Sequence, residues 1–147
     1  MEEALVSDMA QAGCREVRLG FESGNEAMLR RMNKKFDLRS VTRTACLLHK
    51  YGIRQTGFLL LGGPGETRSS VAESLAYADS LPLDAVKLSA GIRIYPYTPL
   101  ARLSVEEGVV VPDDDLLYPR FYLAKGLEGW VDDTVAAWMS TRPHWIQ

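Results

Sequence analysis

The sequence has little cysteine, no long apolar run and no excess of charge of either sign. Its two cysteines, Cys14 and Cys46, are too few and too far apart to form a zinc or iron–sulfur motif on their own. The longest apolar stretch, Gly57 to Gly63, falls far short of the roughly 20 residues that span a bilayer, and the N-terminal Met1-Glu2-Glu3 is acidic, unlike a signal peptide. Seventeen lysines and arginines stand against 19 aspartates and glutamates, so overall charge points to neither nucleic acid nor an anionic membrane as partner. A cytoplasmic protein is the resulting expectation. There is no internal repeat or low-complexity segment, and neither His49 nor His144 has a partner at metal-ligand spacing, so no metal site is expected.

What is present is two alternating periods. Glu16 to Glu22 and Ala85 to Ile94 alternate apolar with polar residues, and Arg54 to Gly62 is a leucine-rich apolar run; these read as strands. Helical spacing fills the gaps. Glu2 to Ala12 leads to a turn at Gly13, and a short helix follows Asn25. Another runs from Asp37 to Gly52 with Val41, Ala45 and Leu48 on one face, and a fourth starts at Thr67 with Val71, Leu75 and Ala78. Thr98-Pro99 opens a fifth, closed by Gly108. This order is the repeating unit of a parallel α/β sheet. Beyond Val109 comes an aromatic-rich tail, so residues 1–108 read as one unit and 109–147 as a mostly helical extension that wraps the unit or closes one end.

The first and third strands carry polar residues on one side: Arg18, Gly20 and Glu22, then Lys87, Ser89, Gly91 and Arg93. A doubly wound sheet buries both faces and makes strands apolar throughout. The alternation instead fits a partial barrel with an open, solvated interior, although Arg18 and Lys87 could equally serve cross-strand ion pairs. Parallel α/β folds bind ligands at the C-terminal ends of their strands, where Glu22-Ser23-Gly24 and Arg93 lie. Gly62-Gly63-Pro64-Gly65-Glu66-Thr67 ends the second strand. It is no P-loop, because Glu66 stands where lysine belongs; its glycines suit close approach to a nucleobase, with Glu66 bonding amides at the helix start.

In this order, Val17-Arg18-Leu19-Gly20-Phe21-Glu22-Ser23-Gly24, Met32-Asn33-Lys34-Lys35, Gly63-Pro64-Gly65-Glu66-Thr67 and Tyr95-Pro96-Tyr97-Thr98-Pro99-Leu100 resemble the C-terminal half of the radical S-adenosylmethionine (SAM) core. The cobalamin-binding and methylthiotransferase-like branch is the nearest in pattern. The resemblance implies half of a TIM-like partial barrel with about three βα units. It puts Glu22 and Ser23 at the ribose and methionyl end of SAM, Leu61, Gly63 and Glu66 in the adenine-side motif, and Arg93 and Tyr95 on the substrate side. Leu59 stands where that motif has its first glycine.

The family's 4Fe-4S cluster is held by a CxxxCxxC loop, which this sequence lacks. The resemblance therefore implies a missing N-terminal half that carries the cluster ligands, with room for a cobalamin domain upstream, and a chain inactive alone. The whole protein would cleave SAM reductively to a 5'-deoxyadenosyl radical, or transfer a methyl group through cobalamin. A half-barrel exposes strand edges, so self-association is expected. The alternative from another class is a non-catalytic α/β module that binds a nucleotide or a protein partner. The sequence assigns no catalytic residue.

Overall fold

A computed structural model describes residues 1–147. In chain order the elements are α1 (Glu3–Gln11), β1 (Glu16–Glu22), α2 (Glu26–Arg31), α3 (Leu38–Lys50), β2 (Arg54–Leu61) and α4 (Arg68–Asp79). They continue as β3 (Ala85–Ala90), β4 (Ile92–Ile94), α5 (Pro99–Glu106), β5 (Arg120–Tyr122), α6 (Trp130–Met139) and β6 (Trp145–Ile146). Strands β1, β2, β3 and β6 form one parallel sheet in that order, and β4 pairs antiparallel with β5 in a second. The architecture is the expected α/β partial barrel. No helix is long and apolar enough to cross a membrane.

The helices start where side chains satisfy their free amides. Asn25 accepts from Met28 N–H at 3.0 Å and Asp37 from Ser40 N–H at 2.8 Å. Thr67 and Ser70 cap one another reciprocally, at 3.2 and 2.9 Å, and Thr98 accepts from Ala101 N–H at 3.1 Å ahead of Pro99. Each such cap is worth about 1 kcal/mol.

Period two decides which strand face is covered. Gln55, Gly57, Leu59 and Leu61 of β2 are buried, and Leu59 and Leu61 share one core with Val71 and Leu75 of α4 and Val86 and Leu88 of β3. The opposite face leaves Arg18, Lys87 and Ser89 exposed. Arg18 lies 3.5 Å from Glu16 of its own strand, and Lys87 pairs with no carboxylate, so these charges do not form a cross-strand network.

Two features depart from the sequence expectation. The strand expected over Ala85–Ile94 ends at Ala90, because Gly91 adopts φ +85° while its N–H still donates to the Leu61 carbonyl at 2.8 Å. The chain leaves the parallel sheet there, and Ile92–Ile94 pairs with β5 instead. The tail carries one helix and two short strands, and its end supplies a fourth parallel strand, with Trp145 and Ile146 beside Val86 and Lys87. Val131, Val135 and Trp145 belong to the same buried cluster as Phe21 and Leu59. Arg142 fixes the tail to α4 through two bonds to Asp79, at 2.7 and 2.9 Å, with its guanidinium over Trp138.

Helix α4 approaches the exit of β1 at Gly24. A Cβ there would lie 2.5 Å from Tyr77 Cβ and 2.8 Å from Ser74 Cα, which only glycine tolerates. Phe21 meets the Tyr77 ring edge-on at 5.8 Å beside this contact. Gly24→Ala is therefore expected to destabilise the protein by about 1–3 kcal/mol through overpacking. Urea unfolding checks this, and a change within about 0.5 kcal/mol, usual for surface substitutions, would contradict the close approach.

Candidate functional site

Three segments distant in sequence meet at the C-terminal end of the parallel sheet. The first is the exit of β1. Glu22 is forced to φ +67°, closed by Ser23 N–H donating to the Phe21 carbonyl at 2.8 Å, a tight three-residue turn. A non-glycine residue held there stores on the order of 1–3 kcal/mol of strain, a recurrent property of ligand sites. The turn folds the Glu22 carboxylate back over Gly20, where a Cβ would lie 2.9 Å from Glu22 Oε1. Lys34 holds it there, 3.6 Å from Glu22 Oε1 and donating to the Gly20 carbonyl at 3.2 Å. About a quarter of each side chain stays exposed, so the carboxylate remains open to a ligand.

The second segment is the loop after β2. Glu66 is 3% exposed, and its Oε2 accepts from the amides of Gly62 and, at 3.1 Å, Gly63. Sequence reasoning put these bonds at the helix start. They lie instead at the strand end, because Thr67 and Ser70 already satisfy the helix. Gly63 packs so closely that a Cβ would lie 3.1 Å from Ile92 Cδ1 and 3.4 Å from Met28 Cε. The third segment is the Gly91 turn into β4, which brings Ile92 to this point.

The side chains expected to touch a cofactor divide into two groups. Glu22 borders the open end, whereas Gly63 is buried beneath Ile92, Met28 and Met32. Ser23 and Leu61 have no exposed surface. The Ser23 hydroxyl lies 3.0 Å from Ser74 Oγ and accepts from Asn25 N–H at 3.1 Å, so it fastens the β1 exit to α4. Leu61 belongs to the core. Arg93 and Tyr95 are exposed on the neighbouring antiparallel pair, the guanidinium 4.9 Å from the Tyr95 ring centroid.

Sequence reasoning used Met32 and Lys34 only as part of a resemblance and gave Met28, Met32, Lys34 and Ile92 no role at this end. The i, i+4 spacing of the two methionines was the available signal. It also passed over a local charge excess: six of the 17 lysines and arginines fall between Arg30 and Arg43, and Arg30, Arg31, Lys35 and Arg39 are exposed without ion pairs.

No three His, Cys, Asp or Glu side chains gather to hold a metal ion, so the residues of this chain do not fit an iron–sulfur cluster. The acceptor left open to a nucleoside is the Glu22 carboxylate. The Gly62-Gly63 backbone is buried against Leu123, Ile92, Met28 and Met32, and Glu66 Oε1 is buried without a partner.

Burial raises the Glu66 pKa above its ordinary 4.5, against the opposing pull of the Gly62 and Gly63 amides. A carboxyl with a raised folded pKa contributes stability that is complete below its ordinary value and lost as pH rises through the folded one. Glu66→Gln keeps an oxygen acceptor for both amides but cannot ionise. The melting temperature of the variant relative to the parent should therefore rise as pH increases above 4.5, and a difference that stays constant with pH would contradict the assignment.

Residues 1–78 match the radical SAM superfamily. An uncharacterised methyltransferase of Pyrococcus horikoshii is 25% identical over 100 residues, which is 65% of this chain and 22% of that protein. An uncharacterised protein of Methanocaldococcus jannaschii is 29% identical over 91 residues, 62% of this chain and 26% of its own length. In structure the chain is similar to the radical SAM methyltransferase TsrM of Kitasatospora setae. With cobalamin and a [4Fe-4S] cluster bound, TsrM superposes with a TM-score of 0.80 at 20% identity, over 99% of this chain and 36% of its own. With tryptophan substrate and a SAM analogue bound, it gives 0.77 at 20% identity, over 95% and 33%. This chain thus spans about a quarter of the curated relatives and a third of TsrM. With a family match over more than half of its residues and a parallel sheet whose strand ends converge as described, the chain belongs to the radical SAM superfamily.

Proposed function

We propose that this chain forms one wall of the SAM site, and part of the substrate wall, of a radical SAM methyltransferase whose cluster ligands lie outside it. The observation that carries this reading is the convergence of Glu22, the Gly62–Glu66 loop and Ile92 at one end of a parallel sheet. When bound, SAM supplies a transferable methyl group. The rest is positioning. The quarter-exposed Glu22 carboxylate accepts from ribose hydroxyls or pairs with the methionyl ammonium. Glu66 holds two successive amides in place and so fixes the loop that borders the base. Ser23 and Leu61 act from beneath by fixing the strand exits, and Arg93 and Tyr95 face the substrate. Cobalamin and the cluster would be held by residues outside this chain.

Calorimetric titration with S-adenosylhomocysteine tests the reading. Binding is expected to weaken at least about tenfold in Glu22→Ala, which removes a charge-assisted contact, and in Gly63→Val, whose side chain would push Ile92 and Met28 off the loop. Equal affinity for ATP, or no loss in either variant, would instead support a general nucleotide-binding or protein-interaction module.

The partner reading rests on β1. It is an edge strand, and beside it an apolar groove of about 480 Å³ is lined by Met1, Leu5, Leu19, Phe36 and Val41. A strand of a second copy of this chain would pair there. Sedimentation is expected to show concentration-dependent self-association that Leu19→Lys, an edge charge, abolishes. A monomer at every concentration would overturn this.

A further inference from the structure

The antiparallel pair β4–β5 has one covered face and one open face, and the open face is chemically specific. Its register sets Ile92 opposite Tyr122, Arg93 opposite Phe121 and Ile94 opposite Arg120. Residues directly opposite in an antiparallel pair share a face, and successive pairs alternate. Ile94 and Tyr122 are 1% and 2% exposed in the core, so Arg93 and Phe121 point the other way. There Phe121 is 56% exposed, and Tyr95, one residue beyond β4, is 54% exposed. The side chain of Arg93 forms no ion pair or hydrogen bond, whereas its neighbour Arg120 is tied to Asp114 at 3.0 Å.

This face adjoins the site. Phe121 Cβ lies 3.4 Å from where a Cβ on Gly91 would stand, at the end of β3, and Ile92 on the reverse side reaches Gly63. A guanidinium within cation–π reach of an aromatic ring keeps its N–H donors free to meet a ligand. Those donors match the two oxygens of a carboxylate. Phe121, across the strand pair, offers a second apolar surface next to the same cation.

We propose that Arg93, held by Tyr95 and flanked by Phe121, binds the carboxylate of a planar aromatic acid, which makes aromatic carboxylates the substrate class of this site. The binding follows from the β4–β5 face alone; only its role as substrate binding rests on the function proposed above.

The test uses the whole chain and naphthalene-2-carboxylate as probe, with uncharged naphthalene-2-carboxamide as its match in shape. In an amide-detected NMR titration the carboxylate is expected to shift Gly91, Arg93 and Phe121 and to bind at least about tenfold more tightly than the carboxamide. Arg93→Gln should bring the two probes to equal affinity, and Arg93→Lys should restore part of the preference. Because the Arg93 side chain is exposed and unbonded, both variants keep the fold, which the unshifted remainder of the spectrum verifies. Equal affinity for both probes in the parent, or an unchanged preference in Arg93→Gln, would overturn the proposal. S-adenosylhomocysteine titrated into Arg93→Gln separates the two readings. Retained cofactor affinity with a lost carboxylate preference in Arg93→Gln supports this site, whereas a carboxylate preference in the parent with no S-adenosylhomocysteine binding in parent or variant overturns the SAM reading and leaves the aromatic-acid site standing.

Discussion

One buried carboxylate at the end of β2 organises this end of the molecule. Glu66 accepts from two successive amides, and those amides belong to the residues on which the remaining elements converge. The Leu61 carbonyl receives Gly91 N–H at 2.8 Å, and the Gly62 carbonyl receives Ala124 N–H at 2.9 Å. Gly63 lies against Met28, Met32 and Ile92. The loop thus ties together β3, the tail, α2 and β4. Burying a carboxylate is costly, and the second oxygen has no partner, so the arrangement persists only because two amides would otherwise be orphaned.

The same economy explains why the conspicuous polar residues divide between support and exposure. Ser23 and Ser74 spend their hydroxyls on one another and on the Gly24 and Asn25 amides, which lets α4 ride within contact of glycine. Glu22, one residue earlier, is left in a strained turn facing the opening. Adjacent residues thus take opposite roles because one side chain enters the helix contact and the other leaves it. The tail joins in at Gly62, where a Cβ would lie 2.4 Å from Leu123 Cδ1, so the open end is bounded on that side by residues far along the chain.

Much of this was legible in the sequence. Asn25, Asp37, Thr67 and Thr98 announce their helices because a short polar side chain ahead of an apolar period has a local cause, amide capping. The apolar sets of β1, β2 and β3 were legible because a covered face imposes period two. The end of β3 was not: Val86, Leu88, Ala90, Ile92 and Ile94 keep alternating through Gly91, and a glycine in a strand looks the same in sequence whether its φ is negative or +85°. A two-residue strand such as Trp145–Ile146 has no period to read. Ser23 misled for a related reason. A serine beside a strand exit suits a ligand and a buried hydroxyl pair equally, and the choice depends on Ser74, fifty-one residues away.

The docking of β6 has a bearing on how the chain is made. Until Trp145 and Ile146 have left the ribosome, β3 presents a free flank, and the Arg142–Asp79 clasp, which spans 63 positions, cannot close. At 5–20 residues per second that flank stays open for roughly 3–11 s after Ala90 is synthesised. Nascent chains would be most exposed to strand-to-strand misassembly in this interval, so a chaperone has most reason to guard the synthesis of residues 91–146.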